Sequence, residues 1–141
     1  FRQLMFAEFE LYTHESFEKG IPLTAEDYNA KWHELNVKYF GPEMVVDSEI
    51  DVEWARIPHF YSDFYVYQYA TGYAAASAFA KSILDKEPNA VEKYVGFLKS
   101  GGSDYPIEIL KKAGVDMTTS KPLEATIDRF NELLDMLEKE I

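Results

Sequence analysis

Apolar residues recur three and four places apart along most of this chain, in runs closed by glycine or proline. Tyr28, Trp32, Leu35 and Tyr39 form one such stripe. Leu123, Ile127, Phe130, Leu134, Leu137 and Ile141 form another, spaced 4-3-4-3-4. This spacing gathers side chains on one face of a helix but scatters them over both faces of a strand. Met44-Val45-Val46 could be a short extended piece, and one short run makes no sheet. The expected fold is therefore all-α, a helical bundle of about six helices.

Caps and breakers set the expected bounds. Residues 1–19 read as a helix carrying Phe1, Leu4, Met5, Phe9, Tyr12 and Phe17, with Gly20 as a left-handed cap and Pro22 as a stop. Thr24 caps a second helix, with Asp27 three residues on in the manner of a capping box, and Gly41-Pro42 ends it. Residues 42–60 read as irregular, with a helical turn over Asp51–Arg56. The longest helix is expected from about Ser62 to Leu84. Its second half is rich in small residues, and Gly72, which costs about 1 kcal/mol against Ala, points to close packing of another helix. Asn89 caps a fourth helix, with Glu92 three residues later, a buried stripe of Val91, Tyr94, Val95 and Leu98, and Gly101-Gly102 at its end. A short helix follows from Tyr105-Pro106 to Ala113, and Pro122 opens a last one that reaches Ile141.

Composition removes several function classes. The 141 residues fit a single helical domain spanning 1–141. Fourteen basic residues against 25 acidic ones give −11, a field that repels phosphate and disfavours nucleic acid and anionic membrane surfaces as partners. With no Cys there is no disulfide framework, zinc finger or thiol nucleophile, which fits a reducing, cytoplasmic setting. The low-charge stretch Phe64–Ala80 contains Gln68, Thr71 and Ser77 and reads as a buried helix, not a membrane span. The chain opens on Phe1 with no initiator Met, signal peptide or transit segment, and is expected to be a piece of something longer.

Most candidate chemistry dissolves on inspection. Each of the two His-Glu pairs, His14-Glu15 and His33-Glu34, lacks a second His four residues on, so neither completes a helical zinc motif. Both are read as exposed polar positions. Ser100-Gly-Gly-Ser-Asp104 lacks the Lys of a phosphate loop and reads as a helix-ending turn. Glu8 and Glu10, two apart, point to different faces of a helix and form no carboxylate pair.

One segment stands out. Ile57–Tyr69 holds His59 and four tyrosines, Tyr61, Tyr65, Tyr67 and Tyr69, where an irregular loop meets a long helix. A buried tyrosine needs a partner for its hydroxyl, so a core would favour Phe or Leu. Several hydroxyls beside an imidazole make either a wet pocket of hydrogen-bond donors, able to stabilise a developing oxyanion, or an aromatic packing layer. Composition leaves both open.

The segment IPHFYSDFYVYQYATG, residues 57–72, closely resembles a signature of the oligoendopeptidase F family of zinc metallopeptidases. FRQLMFAEFE at 1–10, VEWAR at 52–56, FLKSGGSDYP at 97–106 and KAGVDM at 112–117 resemble the same family in collinear order. The resemblance implies the C-terminal part of a larger, mostly helical peptidase that hydrolyses internal bonds of short peptides. It also implies a His-Glu-x-x-His zinc site upstream, so that zinc is a cofactor of the complete enzyme with no ligand in this chain. In the related thimet-type oligopeptidases, a His and tyrosines aligned with 59–69 bind substrate and stabilise the tetrahedral intermediate. By that alignment His59 and Tyr67 are candidate catalytic residues. Tyr61, in a loop shorter than the thimet-type one, and Tyr65, by proximity, are candidate substrate-binding residues. Trp32, Trp54 and Phe79 are expected in the core.

The partners so implied are short peptides and the upstream zinc-bearing part of the same enzyme. By itself the chain is expected to be inactive and to expose apolar surface. The competing reading is a non-enzymatic helical binding or interaction module.

Overall fold

A computed structural model describes residues 1–141. Six α-helices account for most of the chain: α1 (Arg2–Glu18), α2 (Ala25–Phe40), α3 (Tyr67–Leu84), α4 (Ala90–Ser100), α5 (Pro106–Lys112) and α6 (Lys121–Glu140). Between α2 and α3 lie two 3-10 helices, a long one at Ser48–Arg56 and a short one at Pro58–Tyr61. There is no strand, as the periodicity requires. The chain divides into two compact units, Phe1–Ala70 and Thr71–Ile141.

The first unit is built on aromatic packing. Met5, Phe6 and Phe9 of α1, Trp32 and Leu35 of α2, Ile57 and Val66 form its buried centre, with Tyr28, Tyr39, Trp54 and Phe60 packed against it. Phe9 meets Trp32 edge-on at 4.9 Å, with tilted contacts from Phe9 to Phe60 at 5.2 Å and from Phe6 to Trp32 at 5.2 Å. The edge-to-face geometry suits the ring quadrupoles and strengthens contacts that burial already favours. The α2 cap forms as the sequence predicts: the Asp27 backbone N–H donates to the Thr24 hydroxyl, and the Thr24 N–H donates to the Asp27 carboxylate at 2.8 Å. Glu8 of α1 accepts from Lys38 at 2.7 Å and from the Tyr39 hydroxyl at 2.9 Å on α2. The long 3-10 helix is tied to α1 through Glu53, which takes Arg2 at 2.5 Å and also pairs with Arg56.

The second unit has a leaner centre of Ala75, Phe79, Ala113 and Val115, with Tyr94 and Phe97 of α4 against Phe79 at 5.3 and 5.2 Å. The long stripe of α6 stays exposed: Leu123, Ile127, Leu134 and Leu137 all face solvent.

Several expectations need correcting. The helix expected from Ser62 starts at Tyr67, because Phe64 turns the backbone to φ 49°, outside the right-handed helical region. The longest helix is α6, with 20 residues against 18 in α3. Residues 42–47 are irregular as expected, but the helical turn expected over Asp51–Arg56 extends to a 3-10 helix from Ser48 to Arg56, and a second follows Ile57 at Pro58–Tyr61. Met44 and Val45 are exposed and belong to no strand. Asn89 sits at φ 61° and makes no side-chain cap bond. On α4, Val91, Val95 and Leu98 are exposed, while Phe97 joins Tyr94 in packing inward. A Cβ added at Gly72 would meet nothing within 4 Å, so no neighbour in this chain calls for that glycine.

Candidate functional site

The His59 segment is pinned at both ends by burial. Ile57 is buried, Phe60 packs on the aromatic core, and Val66 is fully buried beyond the loop. Residues between these anchors are forced outward. Pro58 starts the short 3-10 helix, whose Ser62 N–H closes onto the His59 carbonyl at 3.0 Å. His59 itself is half-buried on the outer side.

Two tyrosines converge on it. The Tyr65 ring stacks on the imidazole at 5.6 Å and 22°. Tyr69 meets it edge-on at 5.8 Å, and its hydroxyl lies 3.3 Å from His59 Nε2. Tyr65 and Tyr69 also meet each other edge-on at 5.7 Å. Their hydroxyls share a hydrogen bond, which together with burial holds the Tyr69 phenol above its ordinary range. The cluster is open: Tyr65 is 42%, Tyr69 45% and Tyr67 49% exposed. A sealed aromatic layer would bury these rings, so their hydroxyls are within reach of an incoming peptide.

The other candidates are placed differently. Tyr67 opens α3, two residues from both Tyr65 and Tyr69. Tyr61 is 78% exposed and donates to the Ala55 carbonyl at 3.3 Å. The structure thus groups Tyr65 and Tyr69 around His59, and Tyr69 is the member that sequence reasoning passed over. Spacing could not have found it: Tyr65 precedes α3, so the four-residue interval to Tyr69 is not a helical one.

The turn that makes this grouping possible is strained. A bulky residue at positive φ is uncommon and costs of order 1–3 kcal/mol. Phe64 is held there with its ring over His14 of α1 at 4.2 Å, and His14 Nδ1 is 3.7 Å from Asp63. The other early helical histidine, His33, bonds Asp51 through Nδ1 at 2.7 Å. Both imidazoles are partly buried and engaged, so the reading of these His-Glu pairs as exposed polar positions is corrected for the histidines, while Glu15 and Glu34 are exposed as expected.

No group of three or more His, Asp or Glu side chains could hold a metal. A hollow of the first unit, about 390 Å³, is lined by Arg2, Asn36, Phe40, Met44 and Ile50 and contains none of the His59 cluster. What the cluster offers chemically is one imidazole and several phenols, all able to donate hydrogen bonds to a carbonyl oxygen or an oxyanion. No helix is long and apolar enough to cross a membrane.

Comparison with known proteins places the chain. The sequence profile of Peptidase family M3 matches residues 1–129. Oligopeptidase PepF of Bacillus subtilis (strain 168) is 55% identical over 139 residues, covering 99% of this chain and 21% of that protein. Group B oligopeptidase PepB of Streptococcus agalactiae is 48% identical over 138 residues, 98% of this chain and 23% of that protein. Among solved structures, the crystal structure of oligoendopeptidase-F from Enterococcus faecium matches with a TM-score of 0.94 at 52% identity, covering 98% of this chain and 26% of that one. The chain therefore spans about a fifth to a quarter of the length of these relatives.

Proposed function

The chain belongs to Peptidase family M3, and on that premise we propose that it is the C-terminal, substrate-binding and transition-state-stabilising part of a zinc-dependent cytoplasmic oligopeptidase that cleaves internal bonds of short peptides. The observation that carries this reading is the open cluster of His59, Tyr65 and Tyr69, imidazole and hydroxyls turned outward between buried anchors. Such groups, fixed before substrate arrives, stabilise charge that develops on a peptide carbonyl oxygen at little reorganisation cost. His59 and Tyr67 are the donors to that oxygen. Tyr61 and Tyr65 line the path of the peptide.

The side chains present do not form a zinc site, and the metal ligands belong to the rest of the enzyme. The exposed stripe of α6 supports a further large body that covers it, since apolar patches of that extent mark interaction surfaces. The same similarity argues against a free-standing binding module.

The test is kinetic. In the complete peptidase, Tyr67→Phe keeps the ring and removes one hydroxyl. Loss of one oxyanion donor lowers kcat roughly 100–1000-fold. A donor engaged mainly in the transition state affects kcat more than KM. His59→Ala is expected to lower kcat/KM as well, with zinc content unchanged in both variants. Wild-type kcat for Tyr67→Phe removes that tyrosine from the chemistry. Zinc loss in His59→Ala overturns the division between metal-binding and substrate-binding parts.

A further inference from the structure

His14 belongs to no metal motif, yet it has two neighbours in the segment that carries His59. Its imidazole lies against the Phe64 ring with 4.2 Å between centroids, tilted by 33°, and its Nδ1 is 3.7 Å from the Asp63 carboxylate. These contacts join α1 to the turn just ahead of α3.

That turn needs a hold from outside. Phe64 sits at φ 49°, where the Cβ of an ordinary residue crowds the backbone. The core does not supply the hold directly, since residues 61–65 are all exposed, between Phe60 on the aromatic core and the fully buried Val66. Helix α1 can supply it, because Glu10 and Ser16 on either side of His14 are buried and fix the helix there. With Phe60 and Val66 both anchored, any relaxation of φ at Phe64 has to be absorbed within residues 61–65, and Tyr65 is the next residue. The Tyr65 ring is the one that stacks on His59, at 5.6 Å and 22°. A shift at Phe64 therefore reaches the imidazole through a single residue.

We propose that His14 is a positioning residue. From α1 its ring holds the Phe64 turn in the conformation that stacks Tyr65 on His59, and so sets the fraction of molecules whose segment is ready to receive peptide. The proposal rests on the reading of the His59 segment as substrate-facing, and extends it to a residue outside that segment. A substrate that binds only the ready conformation has its apparent affinity reduced by the fraction that is ready. Once bound, it meets the same groups in the same places. Loss of the hold should therefore raise KM and spare kcat, the reverse of losing a donor to the transition state.

The test uses the complete peptidase. His14→Ala, His14→Phe, Phe64→Gly, the double variant Phe64→Gly with His14→Ala, and His59→Ala are compared by kcat and KM on a short quenched-fluorescent peptide. Zinc content and thermal midpoint are measured on the same samples. In His14→Ala, KM is expected to rise about tenfold with kcat within about twofold of wild type, a shift in the ready fraction that the strain of such a residue can supply. Zinc and the midpoint stay near wild-type values, since the His14 side chain is 33% exposed. His14→Phe keeps a flat ring against Phe64 and is expected to bring KM back to within about threefold of wild type. Contacting residues are coupled, so His14→Ala should add nothing once Phe64 is replaced by glycine. Wild-type KM in His14→Ala, a loss confined to kcat, an equal loss in His14→Phe, or an additive loss in the double variant overturns the hold while His59→Ala remains impaired. Should His14→Ala lower the midpoint, His14→Phe and the Phe64→Gly pair decide by the same criteria. Wild-type kcat/KM in His59→Ala overturns the substrate-facing reading itself, and the role of His14 with it.

Discussion

The two units of this chain solve burial differently. The first gathers Phe6, Phe9, Trp32, Trp54 and Phe60 into a ring-on-ring core and buries Met5, Leu35 and Val66 within it. The second relies on Phe79 and small residues, and leaves its longest and most regular apolar stripe, on α6, in solvent. A strong helical period shows which face of a helix is apolar. It does not show what covers that face. The rigid aromatic unit is also the one that carries the candidate site, and the link is physical: Ile57, Phe60 and Val66 can force His59 and Tyr65 outward only because they are themselves held.

The sharpest way to break this comparison is to empty the first core. Phe9→Ala should destabilise the first unit by about 3–5 kcal/mol, the cost of deleting a fully buried ring. Both tryptophans of the chain, Trp32 and Trp54, lie in that unit, so the urea midpoint followed by tryptophan fluorescence reports it selectively. A shift below about 1 kcal/mol would mean the ring contacts contribute far less than their burial implies.

Caps give the next contrast. Thr24 and Asn89 carry the same sequence signal, yet only Thr24 makes its bond. Thr24→Ala should cost about 1 kcal/mol. Asn89→Gly should be neutral or slightly stabilising, because glycine accepts positive φ without a Cβ clash. Equal losses at the two sites, measured by circular dichroism in urea, would show that Asn89 caps its helix after all.

Each unit has carboxyls that partners hold below their usual range. In the first, Lys38 holds the Glu8 carboxyl below the usual carboxylate range, and burial, followed by the bond to Glu8, pushes Tyr39 up to about 12. A depressed acid contributes stability above its unfolded value near 4.5, and that contribution is lost as pH falls through the lower folded value. A raised phenol contributes below about 10 and loses its contribution as pH climbs toward 12. The α1–α2 link should therefore weaken at both ends of the pH scale, by less than about 1 kcal/mol each after solvent screening. Glu8→Gln should flatten the acid limb of the fluorescence midpoint, and an unchanged limb would place the acid sensitivity elsewhere.

The smallest expected effect is on α6. Leu134→Glu with Leu137→Glu should leave the unfolding midpoint of this chain within about 0.5 kcal/mol, since both side chains are already in solvent. Binding of an apolar dye should fall. A large loss of stability would mean that this face is covered within the chain.

What the sequence determined was local. Helix count, the Thr24 cap, the glycine and proline stops and the inward face of α2 follow from the spacing of neighbours along the chain, and hydrogen bonds within one turn enforce them. The His59–Tyr69 segment was legible as unusual for the same reason, because polar rings at a helix start conflict with simple burial. Tertiary structure alone decided which tyrosines meet the imidazole. That choice turns on one backbone angle at Phe64, where a phenylalanine adopts a conformation its own propensity opposes. It is held there by His14, fifty residues away in sequence, and by the burial of Val66 beyond it. Residues so far apart are brought together only by the packing of a whole core, and no spacing along the chain encodes that.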